Sequence, residues 1–485
     1  MFLSIQSVTI VAYTCSFEEY GLRRYKNLII MRKTFLNLSF LIFTTAVLAQ
    51  AGHIMQSGGA VNMSMGGAST AQPLDISGAL QWNPAAISTF DDKILKFDIG
   101  LFFSSPELSS SLPAGMLGPG APAVSGTTAD DRGLSPMPAL AMVWGKESSR
   151  HTFGVSAFGI SGFGVTFPVE NNSPVDAQGI PNPSFDPTVN SNPLNYPQAA
   201  RGFGHIESDY MLLQVGFTWA YELSDEFSIG VEPTFNYAAL ELMPNPTANP
   251  SQTAGYPSTD KATALGFGAQ VGLFYDSGSG FKAGASYKST QSFGDFEFEN
   301  TYLDNSTGTN NFNMDYPAIY SLGLGYSLGD IDLALDYRLV DYENTDGFSE
   351  TGWTQTASVA GFGWDNISIV SAGIQYKGVD KLPLRLGYTY SSNPISDELT
   401  FFNIPATAII KNAFQLGLSY EANDNFAIDA VYHYGSSGDA TAGQILNPSQ
   451  ITASNPLGAI PGSSVSYDMT TSMIQVGVSY TFAKK

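Results

Sequence analysis

Ile331-Asp332-Leu333-Ala334-Leu335-Asp336-Tyr337-Arg338-Leu339 alternates along its whole length. Ile331, Leu333, Leu335, Tyr337 and Leu339 fall on one side, and Asp332, Asp336 and Arg338 on the other. A period of two places successive side chains on opposite faces of a strand. A soluble sandwich hides its apolar face and shows a varied outside. Here the apolar face carries an aromatic residue near its end, and the opposite face is small or charged. Lipid on one side and a polar interior on the other produce this pattern.

The pattern recurs. Tyr320, Leu322, Leu324 and Tyr326 alternate with Ser321, Gly323 and Gly325. Phe414 to Tyr420 and Ile474 to Phe482 repeat it. About fourteen such segments run from 93–105 to 468–482, with 151–165 as the third, and an even number suits a bacterial barrel. Connections alternate between short ones, such as Ser224-Asp225 and Asn423-Asp424, and long ones rich in Pro, Asn, Ser and Gly. Sorting the loops this way puts both termini on the short-turn side, the periplasmic side of an outer-membrane barrel. No window after residue 51 holds 18 consecutive apolar residues, so helical spans are not expected. The expected fold is all-β: a transmembrane antiparallel β-barrel of about 14 strands over residues 93–485.

Before it lies Gly58 to Phe90, small, rich in Gly, Ala and Ser, and almost uncharged, ending in Leu80-Gln81-Trp82-Asn83-Pro84-Ala85-Ala86-Ile87. It reads as a short hatch or plug over 52–92, inside the barrel lumen. Proline restricts the residue before it to extended geometry, so Asn83-Pro84 fixes the chain where the hatch meets the first strand.

Met31-Arg32-Lys33 followed by the apolar run Phe35 to Val47 reads as a signal peptide over 31–51, with small residues near Ala49 for cleavage. Residues 1–30 then form an upstream extension outside the fold. The single cysteine, Cys15, lies in that extension, so the mature chain offers no disulfide, zinc site or cysteine nucleophile. Charged residues make up 13% and aromatics 13%, with 49 glycines, a mixture that suits strands and turns over helices. The net charge of −22 argues against nucleic acid as a partner.

Three places resemble the FadL family, the outer-membrane transporters of long-chain fatty acids and other hydrophobic compounds. They are the hatch, with Gly66-Gly67-Ala68, Asp75 and Asn83-Pro84-Ala85; Asp315-Tyr316-Pro317-Ala318 leading into Leu322 to Tyr326; and Leu382 to Tyr390 with Asn393-Pro394, Ile404-Pro405 and Phe414 to Tyr420. The resemblance implies a monomeric fourteen-stranded barrel in the Gram-negative outer membrane. Lipid and lipopolysaccharide would surround it, and the barrel-assembly machinery would insert it. It also implies energy-independent uptake of a fatty acid or an aromatic hydrocarbon, with lateral exit at an inward kink of the third strand. At that place stand Gly159, Gly162, Phe163 and Gly164, and glycines inside a strand mark bulges or close backbone approach. An ordinary Gly-rich strand is the alternative. Ala483-Lys484-Lys485 after Phe482 departs from the usual aromatic end of such barrels.

Candidate substrate contacts are Leu242, Met243 and Tyr256 in the loop after the fifth strand, with Tyr302 and Leu303 opposing them. Arg385 faces the lumen by parity. It either binds a substrate carboxylate through two parallel hydrogen bonds or neutralises an internal acid such as Asp336. His433 shares lumen-facing parity with Asp429, but no motif surrounds them, so polar filling of the lumen is favoured over catalysis. No cofactor, metal or catalytic set is expected. A general porin is the alternative function, and an outer-membrane enzyme a weaker one; the hatch speaks against an open porin.

Overall fold

The structure is a computed structural model and describes residues 52–145, 149–251 and 253–482. The expected signal peptide, the upstream extension and the Ala483–Lys485 tail lie outside the described residues. Fourteen antiparallel strands form the wall: β1 (Lys93–Leu112), β2 (Leu134–Trp144), β3 (His151–Phe167), β4 (Ile206–Glu222), β5 (Phe227–Met243), β6 (Ala262–Asp276), β7 (Phe281–Lys288), β8 (Ala318–Leu328), β9 (Ile331–Asp341), β10 (Ile367–Tyr376), β11 (Leu384–Ser391), β12 (Asn412–Asn423), β13 (Phe426–Ser436) and β14 (Ser464–Thr481). Each pairs with the next, and β14 runs along β1 from Ile94↔Thr481 to Ser111↔Ser464, closing the barrel. Pairing the last strand with the first removes the two free edges that an open sheet would expose to a bilayer.

The alternation of Ile331–Leu339 is realised as an outside and an inside. Leu333, Leu335 and Tyr337 are exposed on the outer wall, whereas Asp332, Asp336 and Arg338 are buried. Two strands run longer than their patterns suggest. β1 continues to Leu112 and pairs there with Val124–Ala129, and β14 begins at Ser464. Polar Ser109, Ser111 and Thr127 carry this extension past the apolar band, and the hydroxyls of Ser109 and Thr127 bond to each other at 2.6 Å.

Residues 52–92 fill the lumen. Helix α1 (Ala60–Ser64) ends in Gly66 and Gly67 at φ 72° and 80°. A Cβ on Gly66 would sit 2.6 Å from the Tyr388 carbonyl, so the wall itself demands glycine there. Helix α2 (Ile76–Trp82) is capped by Asp75, which accepts from the Gly78 N–H at 3.0 Å. Asn83 caps the following 3-10 turn Pro84–Thr89 and also donates to the carbonyls of Thr70 (2.8 Å) and Leu273 (3.0 Å), tying hatch to wall.

Charged lumen residues hold the hatch. Asp336 accepts from the N–H groups of Ser69 (2.8 Å) and Thr70 (2.9 Å) and from the Thr70 hydroxyl (2.7 Å). Arg338 donates to Asp336 (2.6 Å) and to the Gly67 carbonyl (2.9 Å), and its guanidinium lies 3.7 Å from the centre of the Trp82 ring. Lys96 bridges Asp75 of the hatch (2.9 Å) and Asp429 of β13 (2.6 Å). Buried charges are costly unless paired and hydrogen-bonded, and the seated hatch contributes the Asp75 carboxylate to Lys96 and the Gly67 carbonyl to Arg338.

Candidate functional site

Loops from four places meet above the hatch. Phe203 precedes β4, Tyr256 lies between β5 and β6, Trp353 and Val359 between β9 and β10, and Phe401 and Phe402 between β11 and β12. Together they line an apolar pocket. Proline-rich turns and the 3-10 segment Asp397–Asn403 present these rings inward. Trp353 packs on Phe402 with ring centroids 4.9 Å apart, and Phe203 on Phe401 at 5.7 Å. Rings of this kind bury large apolar areas, and their mutual packing adds to it. The Tyr256 hydroxyl donates to the Ala357 carbonyl at 2.6 Å, and burial raises its pKa well above the ordinary range.

Below the pocket a second aromatic cluster surrounds His53 of the hatch. Phe348 (4.9 Å), Tyr342 (5.4 Å), Trp364 (5.6 Å), Tyr316 (5.7 Å) and Tyr210 (6.1 Å) ring the imidazole. Phe362 connects this cluster to Phe163 of β3, at 5.8 Å. Asn403 links the two levels: it accepts from the Trp364 indole at 2.6 Å and donates to the Phe362 carbonyl at 2.9 Å. Burial pushes the His53 imidazole down to about 3, so it is neutral at physiological pH.

The aromatic cluster abuts a break in the wall. β2 pairs with β3 only from Trp144↔Phe153 to Ala139↔Phe158. β2 nevertheless stays paired with β1 as far as Leu134, and β3 with β4 as far as Phe167. A bulge between Gly159 and Ser161 turns β3 away from β2. Pro136 and Pro138 occupy the stretch of β2 left without a β3 partner; a proline offers no ladder N–H and is confined to edges and bulges. The hatch takes the vacated edge of β3. Ile54 bridges Ser161, the Met55 N–H donates to the Ile160 carbonyl at 3.0 Å, and the Gly162 N–H donates to the His53 carbonyl at 3.2 Å. Farther along β3, Asp130 accepts from the Thr166 N–H at 2.5 Å, and Arg132, held by the Ser208 carbonyl (2.7 Å) and Asp209, closes over Gly164.

Among the expected residues, Gly159, Gly162, Phe163 and Gly164 lie at the break, and Tyr256 lines the outer pocket. Leu242 is buried at the top of β5, and Met243 ends that strand. Tyr302 reaches the same loop from its solvent side, donating to the Asn249 carbonyl at 2.7 Å, while Leu303 is 64% exposed; neither lines the pocket. Arg385 lies in the lumen and donates to Gln375 at 2.6 Å, and His433 lies 3.2 Å from Gln415, both away from the pocket. Gly66, Gly67, Asp75 and Asn83 dock the hatch as described, and Pro84 and Ala85 lie against Gly230 of β5, where a Cβ would meet their backbone. Sequence reasoning missed His53, Trp353, Phe401 and Phe402, whose proximity arises from loops far apart in the chain. It also passed over Pro136 and Pro138, which do carry a local signal.

The family model for "Outer membrane protein transport protein (OMPP1/FadL/TodX)" matches residues 194–483. Among solved structures, a Pseudomonas aeruginosa FadL homologue is 14% identical, with a TM-score of 0.65 over 89% of this chain and 100% of its own. The toluene transporter TodX of P. putida is 16% identical, with a TM-score of 0.60 over 88% of this chain and 99% of its own. The toluene transporter TbuX of Ralstonia pickettii is 17% identical, with a TM-score of 0.57 over 88% and 98%. These likenesses are of fold. No curated protein sequence matches the chain. With most of its length covered by the family model and its barrel closed around a hatch, the chain belongs to the outer-membrane transport proteins of the FadL and TodX family.

Proposed function

We propose that the chain takes up hydrophobic small molecules across the outer membrane without an energy source, as a monomer with both termini in the periplasm. Long-chain fatty acids and aromatic hydrocarbons are the candidate substrates. A solute is captured in the outer pocket, passes the aromatic cluster around His53, and leaves sideways between β2 and β3 when the His53–Met55 segment withdraws. The observation that carries this reading is the exchange of partners on β3: where β2 lets go, the hatch takes its place. A lateral exit delivers an apolar solute straight into hydrocarbon, avoiding water at roughly 0.8 kcal/mol per methylene.

The test is uptake of radiolabelled oleate and toluene by cells lacking their own transporter, comparing wild type with a deletion of residues 58–80. Faster entry than in empty cells, lost or deregulated in the deletion, supports hatch-gated transport. Entry of small sugars with neither hydrophobic probe would instead identify a porin.

A further inference from the structure

We propose that this pathway selects uncharged lipophiles bearing one neutral hydrogen-bonding group, such as a long-chain alcohol or a phenol, and discriminates against ionised carboxylates. The proposal rests on the uptake function above and narrows its substrate class. Among the described residues, no Lys, Arg, His, Asp or Glu side chain lines the outer pocket. Its polar side-chain groups are already engaged. The Tyr256 hydroxyl donates to the Ala357 carbonyl, and the Trp353 indole donates to the Leu457 carbonyl at 2.9 Å. An ionised carboxylate entering there gives up its water and gains neither a cation nor a free donor, whereas an alcohol gives up far less.

The lower cluster continues the same chemistry. His53 uses Nδ1 on the Tyr342 hydroxyl at 2.7 Å, which leaves its Nε2 unpartnered and fully buried. The Tyr210 hydroxyl, on a neighbouring ring of the same cluster, is likewise buried and unpartnered. One supplies a neutral imidazole nitrogen and the other a phenol oxygen. Both serve a hydroxyl group, and neither neutralises a charge. The lumen cations are occupied elsewhere: Arg338 with Asp336, Lys96 with Asp75 and Asp429, and Lys288 with Gln214 at 2.7 Å. Arg385 and Arg338 are the exceptions that the test must address: the Nη1 of Arg385 has no partner although its Nε is held by Gln375, and the Nε of Arg338 has none although its Nη2 is held by Asp336.

The experiment measures binding of labelled dodecanol, dodecane and dodecanoate to the purified protein in nanodiscs at pH 8, with empty nanodiscs subtracted. The expected order is dodecanol, then dodecane, then dodecanoate, the last weaker than dodecanol by about tenfold or more. His53→Phe should bring dodecanol down to the level of dodecane. Val359→Lys, which adds a cation to the outer pocket, should raise dodecanoate binding by about tenfold. Dodecanoate binding as tightly as dodecanol in the wild type, and losing that affinity in Arg385→Gln, would overturn the proposal in favour of carboxylate recognition. A dodecanol preference untouched by His53→Phe in a folded barrel would overturn the role of the His53–Tyr210 pair. If none of the three binds above the empty discs, the uptake function itself falls, and the proposal with it.

Discussion

Ile54 of the hatch and Ser161 of β3 face each other as an antiparallel bridge at the place where β3 has parted from β2. The edge of β3 that β2 leaves is thereby occupied by a segment of the hatch. The Ser161 hydroxyl reinforces the contact by donating to the His53 carbonyl at 3.0 Å.

If the break depends on the missing N–H groups of Pro136 and Pro138, giving β2 its donors back should let it zip onto β3. The Pro136→Val, Pro138→Thr double variant is expected to fold with unchanged or higher thermal stability and to take up hydrophobic probes several-fold more slowly. Heat-modifiable gel mobility and cell uptake check the two halves of that expectation.

Asp336 joins three hatch donors to Arg338, so its loss leaves a buried guanidinium without its carboxylate. Asp336→Ala should cost about 3–5 kcal/mol in hatch docking, in the range typical of breaking a buried pair. Limited proteolysis of residues 52–92 in the folded barrel would register the loosened hatch, and Asp336→Asn should be less severe.

Trp353 contributes the largest ring of the outer pocket while standing in a loop, outside the wall. Trp353→Ala is expected to weaken binding of a hydrophobic ligand by about tenfold, or about 1.4 kcal/mol, and to leave the barrel's melting temperature within a few degrees of wild type. Equilibrium binding alongside thermal denaturation separates the two effects.

His53 is held neutral by burial, its pKa lowered from 6.5 to about 3. Its contribution is therefore fully present above pH 6.5 and lost progressively as pH falls from there towards 3, where the unfolded chain binds a proton that the seated hatch excludes. Hydrogen exchange at Met55 and Gly162 should accelerate, after correction for the intrinsic rate, as pH drops through that window. His53→Phe should remove this pH dependence.

The wall was legible in the sequence because lipid imposes a strict period. Ile331, Leu333 and Leu335 had to share one face, and the structure puts them there. Asp336 and Arg338 lie two positions apart, and the same periodicity that sets them on one face also makes them partners; Arg385 takes Gln375 instead. The outer pocket was not legible, since Trp353, Phe401 and Phe203 come together through loop conformations that no local pattern encodes. Tyr256 was found only as an apolar residue in a polar loop. The break was half visible. The glycines from Gly159 to Gly164 showed where β3 bends, but the prolines on β2 that deny it a partner had to be seen opposite them.

The central claim is that the Ile54–Ser161 contact must open for solute to leave. Partners in an antiparallel bridge stand close enough for a disulfide, and the only native cysteine is Cys15. Uptake of a labelled hydrophobic probe should therefore be measured in the Ile54→Cys, Ser161→Cys double variant, oxidised and then reduced. Uptake blocked on oxidation and restored by reductant is the predicted result. Uptake at the wild-type rate with the disulfide fully formed would show that solute passes without moving the hatch strand, and would contradict the account.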